Sequence, residues 1–275
     1  MNTSVHAAAR TVLMTADPAR KCELTAALLD DWSAGRVSCC LGTDDHDAVW
    51  APGRPSCPEL VPPQDLPRRR VSTPAGHAAL LHAIAHIEFN AINLALDCVM
   101  RFKSFPDDFH QGWLEVAADE ARHFGMLRAR LGSLGFDYGD FPAHNGLWEM
   151  ACRTADDPLA RMALVPRVLE ARGLDATPPI MEKLRGIGDV ESVAILEVIL
   201  HDEISHVALG DRWFRRLCGD LGLEPEAMYL ELIDGFSAPW PSPPLHEKAR
   251  LEAGFSPGEL KVLSSGPIRR TGENR

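Results

Sequence analysis

Residues 201–206 read HDEISH and residues 118–123 read ADEARH. The first stretch resembles a helical His-Glu-x-x-His zinc signature with one residue too many. At about 100° per residue, two histidines five positions apart point roughly 140° away from each other, so His201 and His206 do not suit one cation. Glu203 and His206 are three apart and share a face, as do Glu120 and His123. The unit is therefore Asp-Glu-x-x-His, present twice. With 18 Glu and 11 His in the chain, chance supplies about 0.7 copies of Glu-x-x-His but only about 0.05 of the longer form.

Both motifs interrupt apolar stripes at helical spacing. Glu120 and His123 stand between Ala117 and Phe124, and Glu203 and His206 between Leu200 and Val207. Glu88 continues the stripe of Leu81, Ile84, Ala85 and Ile92, and Glu170 falls in a further helical stretch. A carboxylate on a buried stripe costs several kcal/mol unless it is paired, hydrogen-bonded or bound to metal. The intervals match as well: Glu88 precedes Glu120 by 32 residues and Glu170 precedes Glu203 by 33.

The surrounding pattern is all-α. Two short amphipathic helices are expected near the start, the second opening at Asp17-Pro18 and ending near Gly35. Residues 36–70 are Pro-rich and aperiodic, a surface wrap or functional loop. Four longer helices follow. One runs from Thr73-Pro74 to about Lys103 and one over 108–131. A third opens at Asp157-Pro158; Pro166 and Pro178-Pro179 each remove a hydrogen bond and kink a helix, and Glu170 matches Glu203 in height only if this helix persists, with a break at Pro178-Pro179, to about Arg185. The fourth opens near Asp189. A Gly-rich connection over 132–156 encloses a short helix after Asn145, and the tail after 236 reads as irregular with one short helix. The resulting division is N-terminal helices and wrap (1–70), a four-helix core (71–236) and a C-terminal tail (237–275).

One Glu from each of two helices and Glu-x-x-His from each of two others resembles the ferritin-like di-iron and di-manganese carboxylate proteins. HAIAHIEFNAINLALD, YGDFPAHNGLWE and LEARGLDATP look like an uncharacterised ferritin-like family of unassigned function, over nearly the whole chain. In its metal motif that family is similar to the tRNA-hydroxylating di-iron monooxygenases. The resemblance implies a ferritin-like four-helix bundle in which Glu88, Glu120 and His123 hold one metal and Glu170, Glu203 and His206 the other. Glu120 and Glu203 would be the bridging, catalytic carboxylates. By likeness to bacterial hydrocarbon monooxygenases, Asp119 would orient His206 and Asp202 would orient His123; a carboxylate on the far ring nitrogen fixes the tautomer and raises ligand basicity. The implied cofactor is two iron ions, with manganese or a mixed pair suiting the same donors. The implied activity is an oxidoreductase that uses dioxygen or peroxide to oxidise an organic substrate, fed by an external reductase. Three other readings remain open: peroxide disposal or metal handling, a non-catalytic scaffold with a structural metal, and a tRNA-modifying hydroxylase.

Composition narrows the partners. A net charge of −11 disfavours a broad nucleic-acid surface. Arg68–Arg70 is one short basic run, read as a solvated loop. No apolar stretch approaches the length of a membrane span, and no signal peptide is seen. The seven cysteines include the vicinal pair Cys39-Cys40 but no CxxC. A reducing cytoplasm is the expected compartment, with a small molecule or RNA as substrate. His77 and His201 are read as structural, and Arg172 as a partner for a carboxylate near the site.

Overall fold

The computed structural model describes residues 3–39 and 51–266. Cys40 and the part of the wrap between residues 40 and 50 lie outside them. The described chain is all-α. Its strands are β1 (Thr3–Ser4) and β2 (Val37–Ser38), which pair in parallel with Thr3 opposite Val37 and Ser4 opposite Ser38. The chain divides into two compact units. One comprises residues 1–155 and 183–195, the other 156–182 and 196–275.

The first unit is organised around α3 (Pro74–Arg101) and α4 (Asp107–Ser133), which pack along their lengths. Thr73 caps α3 by accepting from Gly76 N at 3.1 Å, and Pro74 occupies the first turn. From Phe89 to Met100 every residue of α3 is buried. This helix is long and apolar enough to cross a membrane, yet 72% of its most apolar window is buried inside the protein, the behaviour of a core helix. Helix α1 (Val5–Leu13) packs on α3, and α2 (Pro18–Ser33) on α4. Asp17 caps α2 as its sequence implies, accepting from Arg20 N at 2.7 Å.

The wrap is held by backbone contacts. Gly53 donates to Leu13 O at 2.9 Å, and a Cβ at this position would lie 2.1 Å from Met14 O, so only glycine allows the approach. Farther along, Ala143 N donates to Glu59 O and Val61 N to Ala143 O, tying the wrap to the Gly-rich connection. That connection contains α5 (Gly146–Arg153), as expected. The Arg68–Arg70 run is exposed, with Arg69 stacked on Phe141.

Lys21 is fully buried at the centre of this arrangement. Its ammonium donates to Leu13 O (3.0 Å), Gly53 O (2.7 Å) and Asn93 Oδ1, joining α1, the wrap and α3. Burial lowers its pKa to about 7.

The second unit begins with α6 (Pro158–Leu164), which passes directly into a turn of π-helix over Val165–Glu170. Helix α7 (Ala171–Gly186) then runs through Pro178 and Pro179 without the expected break. Proline removes a donor and crowds the preceding turn but keeps φ helical; buried Leu174 and Met181 on either side carry the helix through. Helix α8 (Val190–Leu221) buries Val193, Leu196, Ile199, Val207 and Phe214. Pro166 packs against it where Gly210 leaves room: a Cβ at 210 would lie 2.2 Å from Pro166 Cγ.

Among the described residues this unit also holds α9 (Pro225–Gly235), α10 (Glu247–Glu252) and α11 (Pro257–Ser265). Among the described residues the tail thus holds two helices, α10 and α11, where one was expected. The capping box between Ser256 and Glu259 is the signal for the second.

Arg167, in the π turn, is the polar centre of the second unit. It is fully buried and faces Asp211 at 2.9 Å and Glu259 at 2.5 Å. The rings of Tyr229, Phe214 and Phe255 surround its guanidinium at 4.0, 4.6 and 4.8 Å. Tyr229 Oη donates to its carbonyl at 2.8 Å.

Two substitutions test these centres. Lys21→Met should lower unfolding stability by about 3 kcal/mol, because three buried acceptors lose their shared donor. Arg167→Met should cost about 3–5 kcal/mol, leaving Asp211 and Glu259 with a missing cation. Denaturant midpoints at neutral pH, compared with the unsubstituted protein, measure both.

Candidate metal centre

Glu88 on α3 and Glu120 and His123 on α4 converge within the first unit. Their exposures are 3%, 1% and 0%. One donor atom of each lies within 4.8 Å of those of the other two. His123 Nδ1 is 3.2 Å from Glu88 Oε2 and 3.5 Å from Glu120 Oε2. The three-residue spacing of Glu120 and His123 places them on one face of α4, and the α3–α4 pairing brings Glu88 to the same level. Burial acts to lower the His123 pKa, but the hydrogen bonds and charges of Glu120 and Glu88 override it and hold the pKa up at about 10.

Two carboxylates and one imidazole, taken together, carry net negative charge even with the ring protonated. Their donors are oxygen and imidazole nitrogen, the set that suits iron and manganese. Burial, convergence and donor chemistry thus fit a bound divalent cation, whose charge would replace the proton now held by His123.

The second motif lies on α8, in the other unit. His206 is buried, Glu203 is partly buried, and Nδ1 of the first is 3.7 Å from Oε1 of the second. Glu170, also partly buried, is the last residue of the π turn. A π turn adds one residue to the helical repeat and re-aims the side chains that follow, a device frequent at functional sites. Each unit therefore carries one of the two predicted ligand sets.

The remaining sequence candidates are placed as follows. Asp119 is partly exposed and pairs with Arg122 at 2.8 Å. Asp202 is partly buried, and its carbonyl accepts from Ser205 Oγ at 2.7 Å. His77 pairs with Asp189 at 2.5 Å, and His201 is exposed. Arg172 is exposed, whereas Arg161 and Arg167 are fully buried, which no spacing in the sequence announces.

Sequence reasoning also missed a polar network on another face of α3. There His86 hydrogen-bonds Tyr138 Oη at 2.8 Å and His144 O at 3.1 Å. A cavity of about 190 Å³ opens beside His86, lined also by Arg69, Ala83, Ile87, Phe141 and Leu147; it contains none of the candidate ligands.

Fold and site together define a helical protein with two sets of carboxylate and imidazole donors. The chain belongs to the family described as "Protein of unknown function (DUF455)", whose model matches residues 14–261. It is 44% identical over 260 residues to an "Uncharacterized protein" of Haemophilus influenzae (strain ATCC 51907 / DSM 11121 / KW20 / Rd), covering 91% of this chain and 90% of the relative. No solved structure matches it.

The charged cluster sets a pH dependence in metal-free protein. A His123 pKa raised from 6.5 to about 10 contributes stability that is fully present below pH 6.5 and lost as pH rises through about 10. Glu88→Gln removes one of the charges that raises it. Unfolding free energies of chelator-treated protein should therefore decline less steeply between these limits in Glu88→Gln than in the unsubstituted chain; identical slopes would refute the coupling.

Proposed function

We propose that this protein is a ferritin-like dinuclear carboxylate oxidoreductase. In this reading Glu88, Glu120 and His123 would hold one metal and Glu170, Glu203 and His206 the other. The observation that carries it is the buried Glu88–Glu120–His123 set, together with the repetition of the same residue order at Glu170, Glu203 and His206. Bound in their reduced form, two irons or manganese ions supply the activation of dioxygen or peroxide for oxidation of an organic substrate.

The chain's own contribution is geometry and charge. Helices α3 and α4 fix three donors with little freedom, because Ala85, Ile92, Ala117 and Phe124 pack on either side of them. Burial keeps bulk water from the Glu88 and Glu120 carboxylates and strengthens their hold on a cation. The π turn sets the direction of Glu170. Electrons come from a separate reductase, since the sequence carries no flavin, nucleotide or Cys-rich cluster motif.

Anaerobic loading of the purified full-length chain with ferrous iron, followed by desalting and metal analysis, tests the reading. About two irons per chain are expected. Glu120→Ala and Glu203→Ala should each fall to about one or fewer, and the loaded protein should consume dioxygen when given a chemical reductant. A wild-type chain that retains well under one metal would overturn the assignment.

A further inference from the structure

Away from the carboxylate sets, three more donors meet at the N-terminal edge of the first unit. His6 lies in the first turn of α1, His110 in the first turn of α4, and Cys39 directly after β2. One donor atom of each lies within 4.8 Å of those of the other two. Both histidines are buried, at 3% and 0% exposure, and Cys39 is half-buried. The β1–β2 ladder fixes the third donor: with Ser4 opposite Ser38, Cys39 follows alongside the start of α1, where His6 stands.

The hydrogen bonds of the two rings decide what their free nitrogens can do. His6 Nδ1 is 2.8 Å from Val99 O, and a carbonyl only accepts, so Nδ1 carries the hydrogen. In the neutral ring Nε2 then holds a lone pair. It is buried and has no hydrogen-bond partner among the described residues. His110 is the mirror case. Its Nε2 donates to Phe105 O at 3.1 Å, and its Nδ1 is buried with no partner among the described residues. The rings lie 4.9 Å apart, centroid to centroid, at 71°. Neither lone pair can donate to the other. An imidazole whose far N–H is fixed on a backbone carbonyl is the usual support for a metal ligand.

We propose that His6, Cys39 and His110 form a second, chemically distinct metal site, for a zinc-class cation. Two imidazoles and a thiolate suit this borderline-soft ion and exclude magnesium or calcium, which demand oxygen donors. A zinc ion reaches nitrogen at about 2.0–2.1 Å and sulfur at about 2.3 Å, so small side-chain rotations bring all three donors into its shell. Three protein donors leave the fourth tetrahedral position to water on the half-exposed Cys39 side. The ion fastens the start of α1 and the residue after β2 to α4. This site stands independently of the carboxylate reading, which contains no sulfur donor.

Cobalt is the probe, because thiolate ligation gives a charge-transfer band in the near ultraviolet that carboxylate ligation does not. Full-length protein stripped with a chelator and titrated with cobalt should develop this band. The band should vanish in Cys39→Ser and persist in Cys40→Ser, with circular dichroism confirming that both variants are helical. Absence of the band in wild type, or its survival in Cys39→Ser, overturns the proposal. A second measurement needs no variant: zinc should protect Cys39 of the wild-type protein from alkylation, read by peptide mass. Equal labelling with and without zinc also overturns it.

Discussion

Glu88 and Glu120 place carboxylates inside an apolar helical core, and the surrounding design follows from that constraint. Buried charge is tolerated only when opposite charge stands close by and the remaining lone pairs are satisfied. The protein meets this requirement in two ways. In the second unit Asp211 and Glu259 face Arg167 and Arg215, whose guanidinium groups are charged at every relevant pH. In the Glu88–Glu120 set a neighbouring cation is the His123 ring, which can release its proton. A permanent cation makes a structural lock. An exchangeable proton makes a place that a metal can take.

Much of the fold was legible because its helices announce themselves by period and by caps. Thr73-Pro74 and Asp157-Pro158 each open a helix where the sequence indicates, and the stripe of Leu81, Ala85 and Ile92 is buried as its spacing implies. Local rules misled at Pro178-Pro179, where packing of Leu174 and Met181 outweighed two missing donors. At Pro166 they marked a distortion of the helix, but not its form, since an added residue in the helical repeat has no signature in single-residue propensities.

The site was legible to the extent that its chemistry is local. Glu120 and His123 share one helix, and their spacing alone places them together; Glu88 required only that two helices pair at matching heights. The His6, Cys39 and His110 group lies on three separate elements. Its members are joined by the β1–β2 ladder and by the packing of α1 on α3, neither of which any spacing encodes. Arg167 is similar: a single charged residue among valines and a leucine reads as surface until the tail helices enclose it.

The seat of Pro166 in the notch at Gly210 carries a consequence for how sequences of this kind can diverge. A π turn holds its extra residue in place of a whole-number helical step. Loss of one residue inside the turn would restore the ordinary repeat with the two flanks still in step, whereas the same loss from ordinary α-helix beside it would rotate one flank by about 100° relative to the other. The turn is therefore a stretch in which a change of length can be absorbed locally, at the expense of the seat of Pro166 against Gly210.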